Sequence, residues 1–207
     1  MKFLIFSDLH AFLRNDIEKI KEDFDIIIFL GDINGIDLRC VANSFPDKPV
    51  YAVLGNHDSK DLFDTSNFFL ERERKIMQKP FLYPIKNINL KKENIHGLTI
   101  TGLEGSVKYK PTSIGYTQEE AFSLDIPVAD ILFSHDTGYH YVTAPMSLKT
   151  HEGLKAISKY IEEVQPKYHF FGHHHIDTQF TKGKTKCFGI CGCSLFDIET
   201  EELKKIF

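Results

Sequence analysis

Five short apolar segments, each followed by acidic, histidine or glycine residues, limit most strongly what this chain can fold into. Each segment is rich in Ile, Val, Leu or Phe and bounded by polar residues, as expected of a buried β-strand. The segments are KFLIFS (2–7), DIIIFL (25–30), PVYAVL (49–54), DILFS (130–134) and KYHFF (167–171). Between several of these segments, apolar residues recur with the spacing of a helix. Strands that alternate with helices predict a largely parallel sheet with helices on its faces.

The remaining elements complete an α/β pattern. Apolar residues spaced three and four apart predict helices at residues 15–24 and 154–164, and Pro166 ends the second one. Residues 68–78 are also expected to be helical. In the first helix these residues are Ile17, Ile20 and Phe24. Strands are predicted at residues 98–103 and 194–199, and a hairpin at residues 179–190 around Lys182-Gly183-Lys184. Antiparallel pairing near the C-terminus favours a second or extended sheet.

Length and composition favour a single domain over residues 1–207 without internal repeats or long linkers. The formal net charge of −4 provides no basic surface for sequence-independent nucleic-acid binding. The start MKFLIFSDLH is too short for a signal peptide, and no later segment has the length of a membrane span. We therefore expect a cytoplasmic protein with four reduced cysteines and no membrane partner.

The polar residues after the five apolar segments are candidate metal ligands. They are Asp8-Leu9-His10, Gly31-Asp32, Gly55-Asn56-His57-Asp58, His135-Asp136 and Gly172-His173-His174-His175. Because parallel strands end at one edge of a sheet, we expect these groups to meet there. Carboxylate, imidazole and amide oxygen, without thiolate, suit a divalent metal ion. A single such group is typical of a turn, but five in order after predicted strands favour a metal site.

The spacing within two of the groups adds a geometric expectation. Asp8 and His10 are two residues apart, as are His173 and His175, and in extended backbone such residues point the same way. Each pair is therefore predicted to present two ligands to one place, while Leu9 and His174 point elsewhere.

Taken together, Asp8-x-His10, Gly31-Asp32, Gly55-Asn56-His57-Asp58, His135 and Gly172-His173-x-His175 resemble the motifs of the calcineurin-like metallophosphoesterases. The resemblance implies an α/β fold, a four-layer α/β/β/α sandwich of two mixed sheets, with two divalent metal ions where the strands end. It assigns Asp8, His10, Asp32 and His175 to one ion, and Asp32, Asn56, His135 and His173 to the other. Asp32 would bridge them. Manganese is the expected metal, and Fe, Zn, Ni or Co also suit these ligands.

The resemblance also implies a reaction. A hydroxide that bridges the ions would attack a phosphodiester or phosphomonoester, His57 would act as the general acid, and Asp58 would orient the His57 ring. The expected partner is a small phosphorylated substrate. Two other functions remain open: a nuclease of the Mre11/SbcD type, with nucleic acid as substrate only, and a binding scaffold without catalysis.

Two segments bear on the substrate pocket. Residues 136–140, after His135, differ from the small residues and prolines that relatives often carry there. Residues 102–109 resemble a glycine-rich loop of small prokaryotic or phage-type members, in which either Lys108 or Tyr109 would contact substrate or the loop is a plain tight turn. The sequence leaves the roles of His140, His151 and His174, and the oligomeric state, open.

Overall fold

The structure, a computed structural model, describes residues 1–9, 16–60, 62, 85–142 and 149–207. The predicted ligand His10 and the predicted helix at residues 68–78 lie outside the described residues. In chain order, the strands are β1 (Lys2–Ser7), β2 (Ile26–Phe29), β3 (Val50–Ala52), β4 (Lys86–Asn87), β5 (Glu93–Ile95), β6 (Leu98–Leu103), β7 (Ser106–Val107), β8 (Gly115–Tyr116), β9 (Ile131–Ser134), β10 (Tyr168–Phe171), β11 (Thr178–Lys182), β12 (Thr185–Gly189), β13 (Gly192–Asp197) and β14 (Glu202–Lys205). The helices are α1 (Gly35–Ser44), α2 (Gln118–Phe122) and α3 (Lys155–Val164), with short 3-10 turns at Ile17–Lys19 and Lys149–His151.

The strands form two six-stranded mixed sheets and a two-stranded pair. The first sheet has the order β14-β13-β1-β2-β3-β4, parallel from β1 to β4 and antiparallel at β13 and β14. The second has the order β11-β12-β10-β9-β6-β5, with a parallel centre and antiparallel edges. The predicted hairpin is β11 and β12. The mixed sheets and the antiparallel C-terminal strands are therefore confirmed.

Three hydrophobic clusters show that the layers are stacked as the sequence predicts. Alternate residues of β1 face opposite sides of the first sheet. Phe3 and Ile5 pack against residues of β9 and β10 such as Phe133, which places this cluster between the two sheets. Leu4 and Phe6 join a second cluster with residues of α1. Residues of α2 and α3 cover the outer face of the second sheet in the third cluster. The four-layer α/β/β/α sandwich is confirmed.

The helix predicted at residues 15–24 is wrong for the part that the structure describes. A 3-10 turn spans Ile17–Lys19, and Ile20 is already extended, with ψ at 102°. Asp16 precedes the turn without a side-chain capping hydrogen bond. Ile17, Ile20 and Phe24 nevertheless pack in the cluster beside α1. The apolar spacing reflects burial of a mainly non-helical segment against the sheet.

Candidate metal centre

The parallel strands of both sheets end beside one another, and their following residues meet. Asp8, Asp32 and His135 follow β1, β2 and β9 and are all buried. Each offers a ligand atom, and these atoms lie within 4.8 Å of one another. The expectation that the polar groups after separate strands meet at one edge holds for these three residues.

Two oxygens in this cluster are buried without a hydrogen-bond partner among the described residues. They are Oδ1 of Asp8 and Oδ2 of Asp32. The other oxygens are engaged: Oδ2 of Asp8 accepts hydrogen bonds from Ser7 Oγ at 2.7 Å and from the His173 N–H at 2.9 Å, and Oδ1 of Asp32 accepts the His57 N–H at 2.8 Å. Burying a carboxylate oxygen without a partner is costly. The two oxygens therefore fit a site for cations.

The ring of His135 is oriented as in a metal ligand. Its Nδ1–H donates to the Leu30 carbonyl at 2.7 Å, the second bond that ligating histidines commonly make. Its Nε2 lies 2.8 Å from Asn56 Oδ1 and 3.5 Å from Asp32 Oδ2. Burial opposes protonation, but the Asp32 carboxylate outweighs it and raises the pKa of His135 to about 9. A proton on Nε2 is thus stabilised where a metal cation can replace it.

His173 and His175 border the same centre. The His173 ring lies 5.1 Å from the His135 ring, and its Nε2–H donates to the Thr150 carbonyl at 2.8 Å, so Nδ1 carries the lone pair. Burial lowers the pKa of His173 to about 4, which keeps the ring neutral, the form that binds metal. Nε2 of the half-exposed His175 lies 4.0 Å from the unpartnered Oδ1 of Asp8.

The backbone conformation of the predicted ligands differs from the extended conformation expected from their spacing in the sequence. Asp8, His173 and His175 have φ values of 55°, 64° and 53°, and Asp32 has 53°. These left-handed residues are not extended, so the rule that residues two apart point the same way does not apply to His173 and His175. Sparsely populated backbone of this kind is common at functional sites. His174 does turn away, because its Nε2–H donates to Asp136 at 3.1 Å.

Close backbone approach explains the glycines of the motifs. A β-carbon on Gly31, whose φ is +97°, would collide with Gly55 and lie 2.8 Å from His135 Nδ1. A β-carbon on Gly55 would collide with Asp32. Any side chain at either position would displace a predicted ligand.

Asp58 and His57 lie on the loop after β3. The Asp58 carboxylate accepts backbone N–H groups of Asp32 and Ile33 at 2.9 and 3.0 Å and of Gly55 at 2.7 Å, and so fixes the loops after β2 and β3 to each other. Burial is the main cause that raises the pKa of Asp58 to about 6. His57 is exposed. Orientation of its ring by Asp58 stays a prediction.

Tyr109 is the clearest neighbour of the centre outside the motifs. Its hydroxyl accepts a hydrogen bond from the Asn56 amide at 3.3 Å, and its ring lies 6.3 Å from the His57 ring. The sequence pointed to this loop, because the tyrosine follows a glycine-rich turn. Thr150 and His151 gave no motif signal, although the His151 ring stacks on His173 at 4.6 Å.

Two mixed sheets with a buried carboxylate and imidazole cluster at the strand ends define an α/β protein of the metallo-dependent phosphatase fold. The family model of the calcineurin-like phosphoesterase superfamily domain matches residues 1–190. The chain therefore belongs to this superfamily, whose members are hydrolytic phosphoesterases and usually bind divalent metals.

The individual proteins that this chain resembles share less than a third of its residues at matched positions. The uncharacterized protein MJ1162 of Methanocaldococcus jannaschii is 29% identical over 189 residues, which cover 85% of this chain and 80% of that protein. The crystal structure of TT1561 from Thermus thermophilus has a TM-score of 0.65 at 16% identity and covers 98% of this chain and 96% of its own. A structure described as a novel archaeal phosphodiesterase has a TM-score of 0.52 at 16% identity, covering 99% and 98%. These two structures share the fold.

Within the described residues, no helix is long and apolar enough to cross a membrane.

Proposed function

We propose that this protein is a dinuclear, metal-dependent phosphoesterase that hydrolyses a phosphodiester or phosphomonoester of a small molecule. The observation that carries the proposal is a pair of buried oxygens next to His135 Nε2, Asp8 Oδ1 and Asp32 Oδ2, which have no hydrogen-bond partner among the described residues. Membership of the calcineurin-like phosphoesterase superfamily supplies the reaction class.

The seven residues of the motifs would hold two ions. Asp8, His10, Asp32 and His175 would bind one ion, and Asp32, Asn56, His135 and His173 the other. When bound, the ions would supply Lewis-acid activation of water and neutralise charge on the phosphate. Manganese is the first choice among metals that accept mixed nitrogen and oxygen ligands.

The chain's own groups would position and protonate the substrate. His57 is exposed, and its backbone N–H is held by Asp32, so its ring stands beside the centre rather than within the buried ligand set. We assign it the role of general acid, which donates a proton to the departing alkoxide. Asp58 holds the loop that carries His57 and supports this placement.

A small substrate suits the surface better than nucleic acid. The formal net charge of −4 opposes tight binding of a polyanion. The fold shared with a protein described as a phosphodiesterase supports diester hydrolysis. A nuclease or a non-catalytic scaffold is therefore an outcome that the test must exclude.

The test combines metal analysis with parallel assays. Purified protein is loaded with Mn²⁺, Fe²⁺, Zn²⁺, Ni²⁺ or Co²⁺ and incubated with a phosphomonoester, a phosphodiester, cyclic nucleotides and DNA. We expect two ions per chain and hydrolysis of a small ester, both lost in Asp32→Asn and retained in Asp47→Asn, a charge-matched surface control. Cleavage of DNA alone would establish the nuclease. Hydrolysis of no substrate with any metal would establish the scaffold.

A further inference from the structure

The carboxylate of Asp136 lies beside the candidate metal centre, where the loops after β9 and β10 meet strand β7. The side chain is fully buried. Oδ1 accepts the Thr137 N–H at 2.8 Å and His174 Nε2–H at 3.1 Å, and Oδ2 accepts the Val107 N–H at 3.2 Å. One side chain thus connects the segments that follow β9 and β10 to strand β7, which leads to Tyr109.

His174 occupies the middle of the turn that carries two predicted ligands. His173 and His175, on either side, have φ values of 64° and 53° in the sparsely populated left-handed region. Such backbone persists only where its surroundings hold it. The His174 ring is buried and packs edge-on against the His173 ring, at 5.4 Å between ring centroids and 87° between ring planes. Its hydrogen bond to Asp136 therefore restrains the turn from inside the protein.

At the Asp136 end, the hydrogen bond between Asp136 and His174 lies next to a third predicted ligand, His135. Asp136 directly follows His135, and the Gly172 N–H donates to the His135 carbonyl at 2.9 Å. The Asp136–His174 bond and this backbone bond together link the His135 segment to the His173–His175 turn at two points. Two links at different points restrain the turn more than either bond alone would.

We infer that Asp136 and His174 form a positioning pair that sets the distance between His135 and the predicted ligands His173 and His175. The inference rests on the proposed metal centre. Neither residue binds the ions or the substrate; each acts by holding the segments that do. The pair also explains three consecutive histidines: the outer two face the centre, and the middle one anchors them to Asp136.

The test measures metal binding rather than catalysis. Asp136→Asn replaces one acceptor oxygen by an amide that faces N–H donors, and His174→Leu removes the N–H donor together with the ring. Mn²⁺ binding to metal-free protein is followed by titration calorimetry, and the Co²⁺-loaded protein by its visible absorption spectrum. We expect each variant to bind Mn²⁺ about 10- to 100-fold more weakly and to shift the Co²⁺ spectrum. The double variant should be no weaker than the weaker single variant, because the two residues act as one unit.

Tyr160→Phe is the matched control for simple loss of stability. The buried Tyr160 hydroxyl accepts the Ala129 N–H at 3.1 Å and donates to the Pro127 carbonyl at 2.9 Å. Its loss should lower Tm and leave Mn²⁺ affinity unchanged. Where Asp136→Asn does not fold, His174→Phe carries the test, because it keeps a ring and leaves both backbone bonds to Asp136. If the folded Asp136 and His174 variants had the Mn²⁺ affinity and Co²⁺ spectrum of the wild type, the positioning role would be overturned and the proposed function would stand. A wild-type protein that binds no divalent ion would overturn the proposed function as well.

Discussion

Asn56 donates a hydrogen bond from its side-chain amide to the hydroxyl of Tyr109 at 3.3 Å. The bond brings an aromatic ring that is 40% exposed to a residue predicted to hold a metal ion. The same ring lies 6.3 Å from the ring of His57, the proposed general acid. Tyr109 therefore lies next to the proposed metal ligand Asn56 and the proposed general acid His57, and part of its ring is exposed to solvent.

Removal of the Tyr109 hydroxyl should impair catalysis modestly. Tyr109→Phe deletes one hydrogen bond to Asn56, and such bonds contribute about 0.5–1.5 kcal/mol, so kcat/KM should fall by about 2- to 10-fold. Tyr109→Ala also deletes the ring. Because we expect the ring to contact substrate, this variant should have a higher KM than Tyr109→Phe. Steady-state kinetics on one ester measure both. Tyr141→Phe, whose ring packs against Phe180 at 6.0 Å, serves as the control and should leave kcat/KM unchanged.

His57→Ala should separate proton donation from metal binding. Because His57 is outside the proposed ligand set, the variant should bind two ions like the wild type. Loss of a proton donor costs on the order of 10² to 10⁴ in rate, and the loss should be greatest for alkyl esters, whose leaving groups need a proton. A series of esters with leaving groups of decreasing pKa measures this. Equal losses across the series would remove His57 from the role of general acid.

Asp58→Ala should act chiefly on stability. The Asp58 carboxylate accepts three backbone N–H groups, those of Asp32, Ile33 and Gly55. Stranding buried donors costs about 1–3 kcal/mol, so the free energy of unfolding should fall by about that amount. Urea denaturation of the metal-free protein measures the change. The exposed Asp23→Ala should have little effect. If Asp58→Ala left stability unchanged but slowed hydrolysis as much as His57→Ala, orientation of His57 would be its main role.

The sequence predicted the central strands of both sheets well because their pattern depends on burial, but it missed the shorter or more exposed β4, β5, β7, β8 and β14. Segments such as residues 2–7 and 98–103 are buried by contact with neighbouring strands, and a short apolar run records that directly. Residues 15–24 show that helical spacing of apolar residues can also arise from burial of a non-helical segment. Apolar residues spaced three and four apart there pack in the hydrophobic cluster beside α1, but the described part forms only a 3-10 turn, and Asp16 makes no side-chain capping hydrogen bond.

The residue types in the candidate site could be predicted from the sequence, but the hydrogen bonds that hold these residues in place could not. Asp8, Asp32 and His135 follow strands that the sequence identified, so their meeting follows from topology. The bonds from His135 to Leu30 and from His173 to Thr150 go to backbone carbonyls, which any residue carries. No sequence motif marks such partners. The left-handed backbone at the predicted ligands Asp8, Asp32, His173 and His175 was likewise not predictable, because it depends on the hydrogen bonds around them.

Metal binding should stabilise the protein, and Asp8→Asn should abolish that gain. An ion at a hundred times its Kd adds about 2.7 kcal/mol, which raises Tm by about 5–10 °C in a chain of this size. Without metal, the charge of Asp8 is buried within 4.8 Å of a ligand oxygen of Asp32. Metal-free Asp8→Asn should therefore be as stable as metal-free wild type or more so. Thermal melts with EDTA and with Mn²⁺ test both statements, and a Tm gain retained in the variant would contradict Asp8 as a ligand.

Gly172→Ala should disrupt the metal centre through lack of space. A β-carbon at Gly172 would collide with Ser7 Oγ and lie 2.7 Å from Asp8 Oδ2, the oxygen that accepts the His173 N–H. The collision would push Asp8 and the His173 segment apart, so Mn²⁺ binding should be lost. Gly97→Ala is the matched control: φ there is +87°, but no atom of the described residues lies within 4 Å of the added carbon. It should cost about 1–2 kcal/mol of stability from left-handed backbone while leaving metal affinity intact. Calorimetry with Mn²⁺ and urea denaturation on both variants separate the two effects, and normal Mn²⁺ binding by Gly172→Ala would show that the β1 and β10 ends can part without harm to the site.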